Sequence, residues 1–230
     1  MYDLGIIGGM GPESSCELYR RIIAYTDAKC DQEHISICVL NIPKTPDRTE
    51  TIVNNGLSPV PHINRAINHL INLGVKRYIV CCNTAHYFIP YLIKSNKIKN
   101  INIIDCVVNY FKNNKLKQAV ILGTAGTINT GIYHKAFEKE NIKIFIPDAV
   151  NINKITQIIN DVKRNGAAMT YGIGLSDIIK NMTWLYPKAL FVLSCTELSL
   201  LKPYLSEVTF VDPLDIVAIE AIKISGYKIK

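Results

Sequence analysis

Apolar positions along this chain fall into two kinds of run, and the two alternate. Short, almost unbroken stretches rich in Val, Ile, Leu, Tyr and Phe read as strands buried on both faces. Longer stretches with apolar residues every three or four positions read as amphipathic helices. The first kind predicts strands over 3–9, 35–42, 78–81, 101–105, 118–123, 142–146, 189–194 and 209–212. The second predicts helices over 13–29, 61–73, 85–95, onward from 107, 127–140, 153–164, 172–185, and a last apolar helix to 224. Residues 43–51 read as a loop carrying Pro46-Asp47-Arg48-Thr49. Strands that alternate with helices predict parallel sheets covered by helices. Ligands in such sheets bind beyond the C-terminal ends of the strands.

The pattern also repeats. A strand ending in glycine at Ile6–Gly9 matches Ile121–Gly123. A strand ending in cysteine at Val80–Cys82 matches Leu193–Cys195, and a strand ending in aspartate at Ile103–Asp105 matches Phe210–Asp212. The glycine-to-cysteine spacing is about seventy residues in both halves. Matching sets of βα units predict an α/β fold of two similar lobes, each a parallel sheet flanked by helices. A pseudo-twofold axis would relate the lobes and put the active site in the cleft between them. The expected lobes are residues 1–104 plus 213–230, and residues 105–212. The aspartate segments would be the crossings, with the final helix returning to the first lobe.

The strand tips carry the candidate chemistry. Gly8-Gly9-Met10-Gly11-Pro12 opens a helix but spells no GxGxxG and has no Lys-Ser/Thr pair, so nucleotide binding is disfavoured. A tight turn and a backbone nest for a small carboxylate remain as readings. Cys81 and Cys82 are neighbours, so strand alternation sends them to opposite faces, with Cys81 in the core. Cys82 leads into Asn83-Thr84, and Cys195 into Thr196-Glu197. Each sulfur is therefore expected near a helix N-terminus, where a thiolate is favoured and a carboxylate can be held.

Composition narrows the class. The chain has 230 residues, 48% of them hydrophobic, which is enough for a large domain or two lobes. The net charge of +7 is scattered rather than clustered with aromatics, which argues against a nucleic-acid partner. No apolar run spans a bilayer, and the N-terminus lacks a basic n-region, so a cytoplasmic protein without a membrane partner is expected. The seven cysteines (16, 30, 38, 81, 82, 106, 195) include no CxxC pair, which points to reduced thiols and no structural zinc.

Two sulfurs facing one substrate from opposite sides suit a single reaction. A thiolate removes the hydrogen from the α-carbon of an amino acid, and a thiol on the other face returns a proton with inverted configuration. No metal or cofactor is needed. The obstacle is electrostatic. A thiolate ~4 Å from a carboxylate is opposed by about 4 kcal/mol at an effective dielectric near 20. A helix terminus returns about 0.3–1 kcal/mol. Further cations or donors are required, which brings Arg48 and a basic residue from the second half into the site.

Gly-Gly-Met-Gly-Pro, Pro-Asp-Arg-Thr, Cys-Asn-Thr-Ala-His and Cys-Thr-Glu-Leu, in this order, resemble the aspartate/glutamate racemase family of cofactor-independent racemases. The resemblance implies Cys82 and Cys195 as the acid/base pair, no cofactor, an amino-acid substrate and a homodimer. It implies that Asn83, Thr84 and Thr196 hold the α-carboxylate and amino group, with Met10, Thr124 and Thr127 lining the pocket. It carries Arg48 over as the contact to a side-chain carboxylate. The family's Lys-x-Gly setting matches Lys163-Arg164-Asn165-Gly166 with one extra residue, which selects Lys163, with Arg164 as the alternative. Ser194 stands where the family has glycine. Glu197 and His86 are expected either to position substrate or cysteine or to cap helices. Competing readings are a maleate isomerase or decarboxylase relative, a non-catalytic small-anion-binding protein, and a zinc site built from Cys82, His86 and Cys195.

Overall fold

The computed structural model describes residues 2–230. The first half runs β1 (Leu4–Gly8), α1 (Pro12–Tyr25), β2 (Ile37–Asn41), α2 (Arg48–Asn54), α3 (Val60–Asn72), β3 (Arg77–Val80) and β4 (Lys99–Asn100). The helix α4 (Ile103–Asn113) then leads into β5 (Gln118–Leu122), α5 (Ala125–Thr130), α6 (Ile132–Glu138) and β6 (Lys143–Phe145). The chain finishes with α7 (Ala149–Asn165), α8 (Met169–Thr183), β7 (Leu190–Leu193), α9 (Thr196–Ser199), β8 (Phe210–Val211) and α10 (Pro213–Ile224).

Two four-stranded parallel sheets result, in the orders β2-β1-β3-β4 and β6-β5-β7-β8. The second order is the first with every strand advanced by four, so the repeat in the sequence is a repeat of topology. In each sheet the strand order reverses between the glycine-ended strand and the cysteine-ended one. That switch point is where an open α/β sheet opens a crevice. β1 is buried along its whole length, with Leu4 and Ile6 in one core cluster and Ile7 in another. Two-sided burial explains why its sequence is an apolar run rather than an alternation.

Several expected elements differ in detail. The helix expected at 85–95 is a 3-10 segment over Thr84–Tyr91 containing Pro90, which has no N–H for a helical bond. The strand expected at 101–105 is confined to Lys99–Asn100, because Asn102 caps α4 by accepting from the Ile104 and Asp105 amides. Asp105 therefore sits in a helix, and the counterpart of Asp212, which caps α10, is Asn102. The third match of the repeat is a capped crossing helix, not a strand ending in aspartate. The helix expected at 127–140 breaks in two at Gly131, whose φ of 60° is left-handed. Arg48 is not in a loop: Asp47 caps α2 and Arg48 is its first residue.

The two crossing helices join the halves. α10 shares a core with β1 and α1, and α4 supplies Ile103 and Cys106 to that core but Val107 and Phe111 to the core beside β5. The expected boundaries, 104/105 and 212/213, fall inside the first turn of α4 and at the cap of α10. Behind α9 lies Arg21, only 2% exposed. Its guanidinium donates to Glu17 (2.7 Å), Asp212 (2.5 Å), Asp215 (2.9 Å) and the Ser199 carbonyl (2.9 Å). Burial opposes its charge, but Asp212, Glu17 and Asp215 outweigh it and raise its pKa. Burial raises the Asp212 carboxyl even with Arg21 beside it.

Removing one member of such a buried pair strands the other. Arg21→Met is expected to cost about 3–5 kcal/mol in denaturant unfolding. A loss below about 1 kcal/mol would show that Asp212 does not depend on the cation.

Candidate functional site

Cys82 follows β3 and Cys195 follows β7, and they are 6% and 5% exposed. Both line one enclosed void with Met10, Asp47, Arg48, Thr49, Asn83, Thr84, Thr124, Lys163, Thr196 and Glu197. The void is about 10 Å³, room for about one water. It adjoins a cavity of about 330 Å³ that shares Met10, Asp47, Arg48, Lys163 and Glu197 and continues past Pro12, Glu13 and Pro43. Of the residues expected at the site, Thr127 alone lies outside the lining. It stands behind, its hydroxyl 2.9 Å from that of Thr84 and 3.2 Å from that of Thr124. This threonine trio bonds the two halves together. Gly126 lets them approach, since a Cβ there would sit 2.9 Å from the Thr84 methyl and 3.0 Å from Thr49 Oγ1.

Three lining side chains are short of partners. Asn83 accepts from the Tyr133 hydroxyl at 2.6 Å through Oδ1, which leaves its Nδ2 buried with no acceptor. The Arg48 terminal nitrogens donate to the carbonyls of Thr45 (3.3 Å), Pro46 (2.9 Å) and Met10 (3.2 Å), and its Nε is buried and unpaired. Glu197 takes the Cys195 thiol hydrogen at 2.9 Å and the Thr196 hydroxyl at 3.3 Å on Oε2. Its Oε1, which lies against Gly11, is buried without a donor. Two buried donors and one buried acceptor, on residues that line the void, thus have no hydrogen-bond partner. Lys163 stands at the mouth, 34% exposed and 4.0 Å from Asp47. Burial works against its charge, but Cys195, Glu197, Asp47 and Cys82 together raise its pKa. Arg164 is exposed and does not line the void.

The expectation of a thiolate-favouring helix end does not hold at Cys195. Burial first, and then the Glu197 carboxylate, push this thiol well above its usual range. The helix that follows is only four residues, Thr196–Ser199, too short to offset them. Cys81 points to the opposite face, its sulfur 3.6 Å from the Ser14 carbonyl. The Gly8–Gly11 turn spends its Gly9 amide on the Ser15 hydroxyl at 3.0 Å, so that N–H is not free for an anion. Ser194 turns its hydroxyl away to the Leu122 carbonyl at 2.8 Å. Sequence reasoning missed Tyr133, which orients the Asn83 amide from the other half and lies fifty residues away. It also passed over Asp47 and Thr49, although both belong to the Pro-Asp-Arg-Thr motif that supplied Arg48.

His86 is buried, with both ring nitrogens in use. Nδ1 lies 2.8 Å from the Cys82 carbonyl, and Nε2 accepts from the Ile103 amide at 3.1 Å. The second bond requires a bare Nε2, so Nδ1 carries the hydrogen. Neither nitrogen is free for a metal. Burial lowers the pKa to about 4. A neutral histidine in the fold must be traded for one that protonates near 6.5 when unfolded. Its stabilisation is therefore full above pH 6.5 and is lost as pH falls toward 4, over a range worth about 3 kcal/mol. The stability gap between wild type and His86→Phe is expected to narrow as unfolding is measured from pH 7 down to pH 4. A gap that stays constant would mean that the ring takes up its second proton as readily folded as unfolded.

Residues 7–221 match the family model described as Asp/Glu/Hydantoin racemase. The broad specificity amino-acid racemase RacX of Bacillus subtilis (strain 168) is 24% identical over 165 residues, 70% of this chain and 71% of that one. The fold superposes on Picrophilus torridus aspartate racemase with a TM-score of 0.88 and 28% identity, covering 100% of this chain and 96% of the other. Glutamate racemase from Francisella tularensis subsp. tularensis SCHU S4, solved with D-glutamate, shares the fold at a TM-score of 0.67 and 16% identity, over 97% and 80% of the two chains. The chain belongs to the Asp/Glu/hydantoin racemase family, and its reaction class is that of an isomerase.

Proposed function

We propose that this chain racemises aspartate or glutamate without a cofactor, using Cys82 and Cys195 as a two-base pair. The observation that supports the reading is one void lined by both cysteines together with Asn83, Arg48 and Glu197, each of which holds a buried polar atom without a partner. An amino dicarboxylate supplies what those atoms lack. Its α-carboxylate accepts from Asn83 Nδ2, its side-chain carboxylate from Arg48, and its ammonium donates to Glu197 Oε1. In the reaction the Cα–H bond breaks toward one sulfur as thiolate. The electron pair left on Cα spreads into the α-carboxylate, and a new Cα–H bond forms from the opposite thiol. The two sulfurs end with their protonation states exchanged. In the unliganded protein Cys195 donates to Glu197, and burial with that carboxylate favours its thiol form. The void holds about one water, so a substrate that reaches the sulfurs must enlarge it from the adjoining cavity that shares Met10, Arg48 and Glu197.

Incubation with L-aspartate or L-glutamate in D₂O is expected to give the racemate with deuterium at Cα. Cys82→Ser and Cys195→Ser should each lower turnover at least about 100-fold while the fold survives. Near-wild-type turnover in either variant would end the two-base scheme, and a non-catalytic anion-binding protein would exchange no hydrogen at all.

Arg48→Ala separates side-chain recognition from general damage. Loss of a charged hydrogen bond predicts a fall in kcat/KM of about 10- to 100-fold for dicarboxylic substrates, and a clearly smaller one for L-alanine. Equal losses on both would mean that Arg48 serves only the Thr45–Pro46–Met10 carbonyls.

A further inference from the structure

The residue four past each cysteine ties that cysteine's turn to the cap of a crossing helix. In the first half His86 donates to the Cys82 carbonyl and accepts from the Ile103 amide, the first residue of α4 after its Asn102 cap. In the second half the Ser199 hydroxyl donates to Asp212 Oδ1 at 2.6 Å, and the same oxygen caps α10 through the Leu214 amide at 3.0 Å. The Ser199 carbonyl is held in turn by Arg21. The two crossing helices pack on each other, with Ile103 and Cys106 of α4 in one core with Leu214, Val217 and Ala218 of α10. A continuous path therefore runs from Cys82 through His86, α4, α10, Asp212 and Ser199 to Cys195, behind the void. His86 and Ser199 are 5% and 1% exposed, and neither lines the void.

We propose that His86 and Ser199 are a matched pair of positioning residues that fix the separation and aim of the two sulfurs by fastening each to the packed pair of crossing helices. The inference rests on the racemase reading. Two chemically unrelated side chains occupy corresponding places, and each reaches the start of a crossing helix. The shared feature is the anchor, not the residue type. Proton transfer at Cα needs the reacting atoms within about 3–3.5 Å, and a displacement of about 1 Å costs on the order of 100-fold. Neither residue touches substrate, so loosening one tip should slow its own proton transfer and leave the binding groups in place.

The test uses His86→Phe and Ser199→Ala in the full chain, with aspartate as substrate and circular dichroism to establish folding. Each variant is expected to lose about 10-fold or more in kcat, with KM changed little. Every turnover passes both sulfurs in either direction. A displaced Cys82 therefore raises the primary deuterium isotope effect on kcat/KM for the 2-deuterated enantiomer it deprotonates and lowers it for the mirror image. Ser199→Ala should skew the two isotope effects in the opposite sense. Folded variants with wild-type kcat, or with reduced kcat but an unchanged ratio of isotope effects, would overturn the inference. If His86→Phe does not fold, the skew in Ser199→Ala decides the matter. Wild-type protein that exchanges no Cα hydrogen would instead sink the racemase reading itself.

Discussion

The structure depends on keeping a carboxylate, a guanidinium and an amide buried together without giving each a full set of partners. Glu197 Oε1, Arg48 Nε and Asn83 Nδ2 each forgo a hydrogen bond. An unmade buried bond costs about 1–3 kcal/mol, more where the group is charged. A soft scaffold would rotate these groups toward water or toward each other. This one holds them by engaging the other end of each: Tyr133 on Asn83 Oδ1, three carbonyls on Arg48, and the Cys195 thiol on Glu197 Oε2. The three unpaired atoms thus belong to side chains that are each anchored at another atom.

Duplication supplies the stiffness, and the departures from it supply the chemistry. The residue two past each cysteine reaches across to the opposite half. From Cys82 this is Thr84, whose hydroxyl closes a neutral ring with Thr124 and Thr127. From Cys195 it is Glu197, a carboxylate that presses on Gly11 and holds the neighbouring thiol. One contact is a fully satisfied polar seam that fixes the halves together. Its counterpart keeps a charge and a vacant acceptor. Identical halves would give both sulfurs the same environment. Here Cys195 has a carboxylate as its hydrogen-bond partner, which together with burial raises its pKa.

Much of this was legible in the chain because strand tips announce themselves. An apolar run that stops at Cys-Asn-Thr or Cys-Thr-Glu ends a doubly buried strand and begins a polar edge, which located six of the twelve lining residues, while Met10, Thr124 and Lys163 followed only from the family resemblance. What escaped depended on the third dimension. Nothing near Tyr133 marks it as a partner for Asn83, since the contact exists only once α6 folds over the cleft. Asp105 misled because aspartate ends strands and opens helices alike, while Asn102 one turn earlier had already taken the cap. The Cys195 thiol misled for an energetic reason: burial and an adjacent carboxylate outweigh the dipole of a single helical turn.

The charges around the void decide whether the proposed reaction is electrostatically workable. The void is lined by two cations, Arg48 and Lys163, and two anions, Asp47 and Glu197. The proposed substrate, with two carboxylates and one ammonium, would bring a net negative charge, and a thiolate would add another. In open water the cations at the mouth would be screened to about 1 kcal/mol at 4 Å, whereas in a desolvated site each is worth several times that. The negative groups already raise the pKa of Lys163 and keep it charged. Asp47 and Lys163 approach to 4.0 Å, which brings one cation from the second half to a site whose other cation, Arg48, comes from the first. A scaffold in which the halves did not meet would separate these two cations and leave the proposed carbanion with less positive charge nearby.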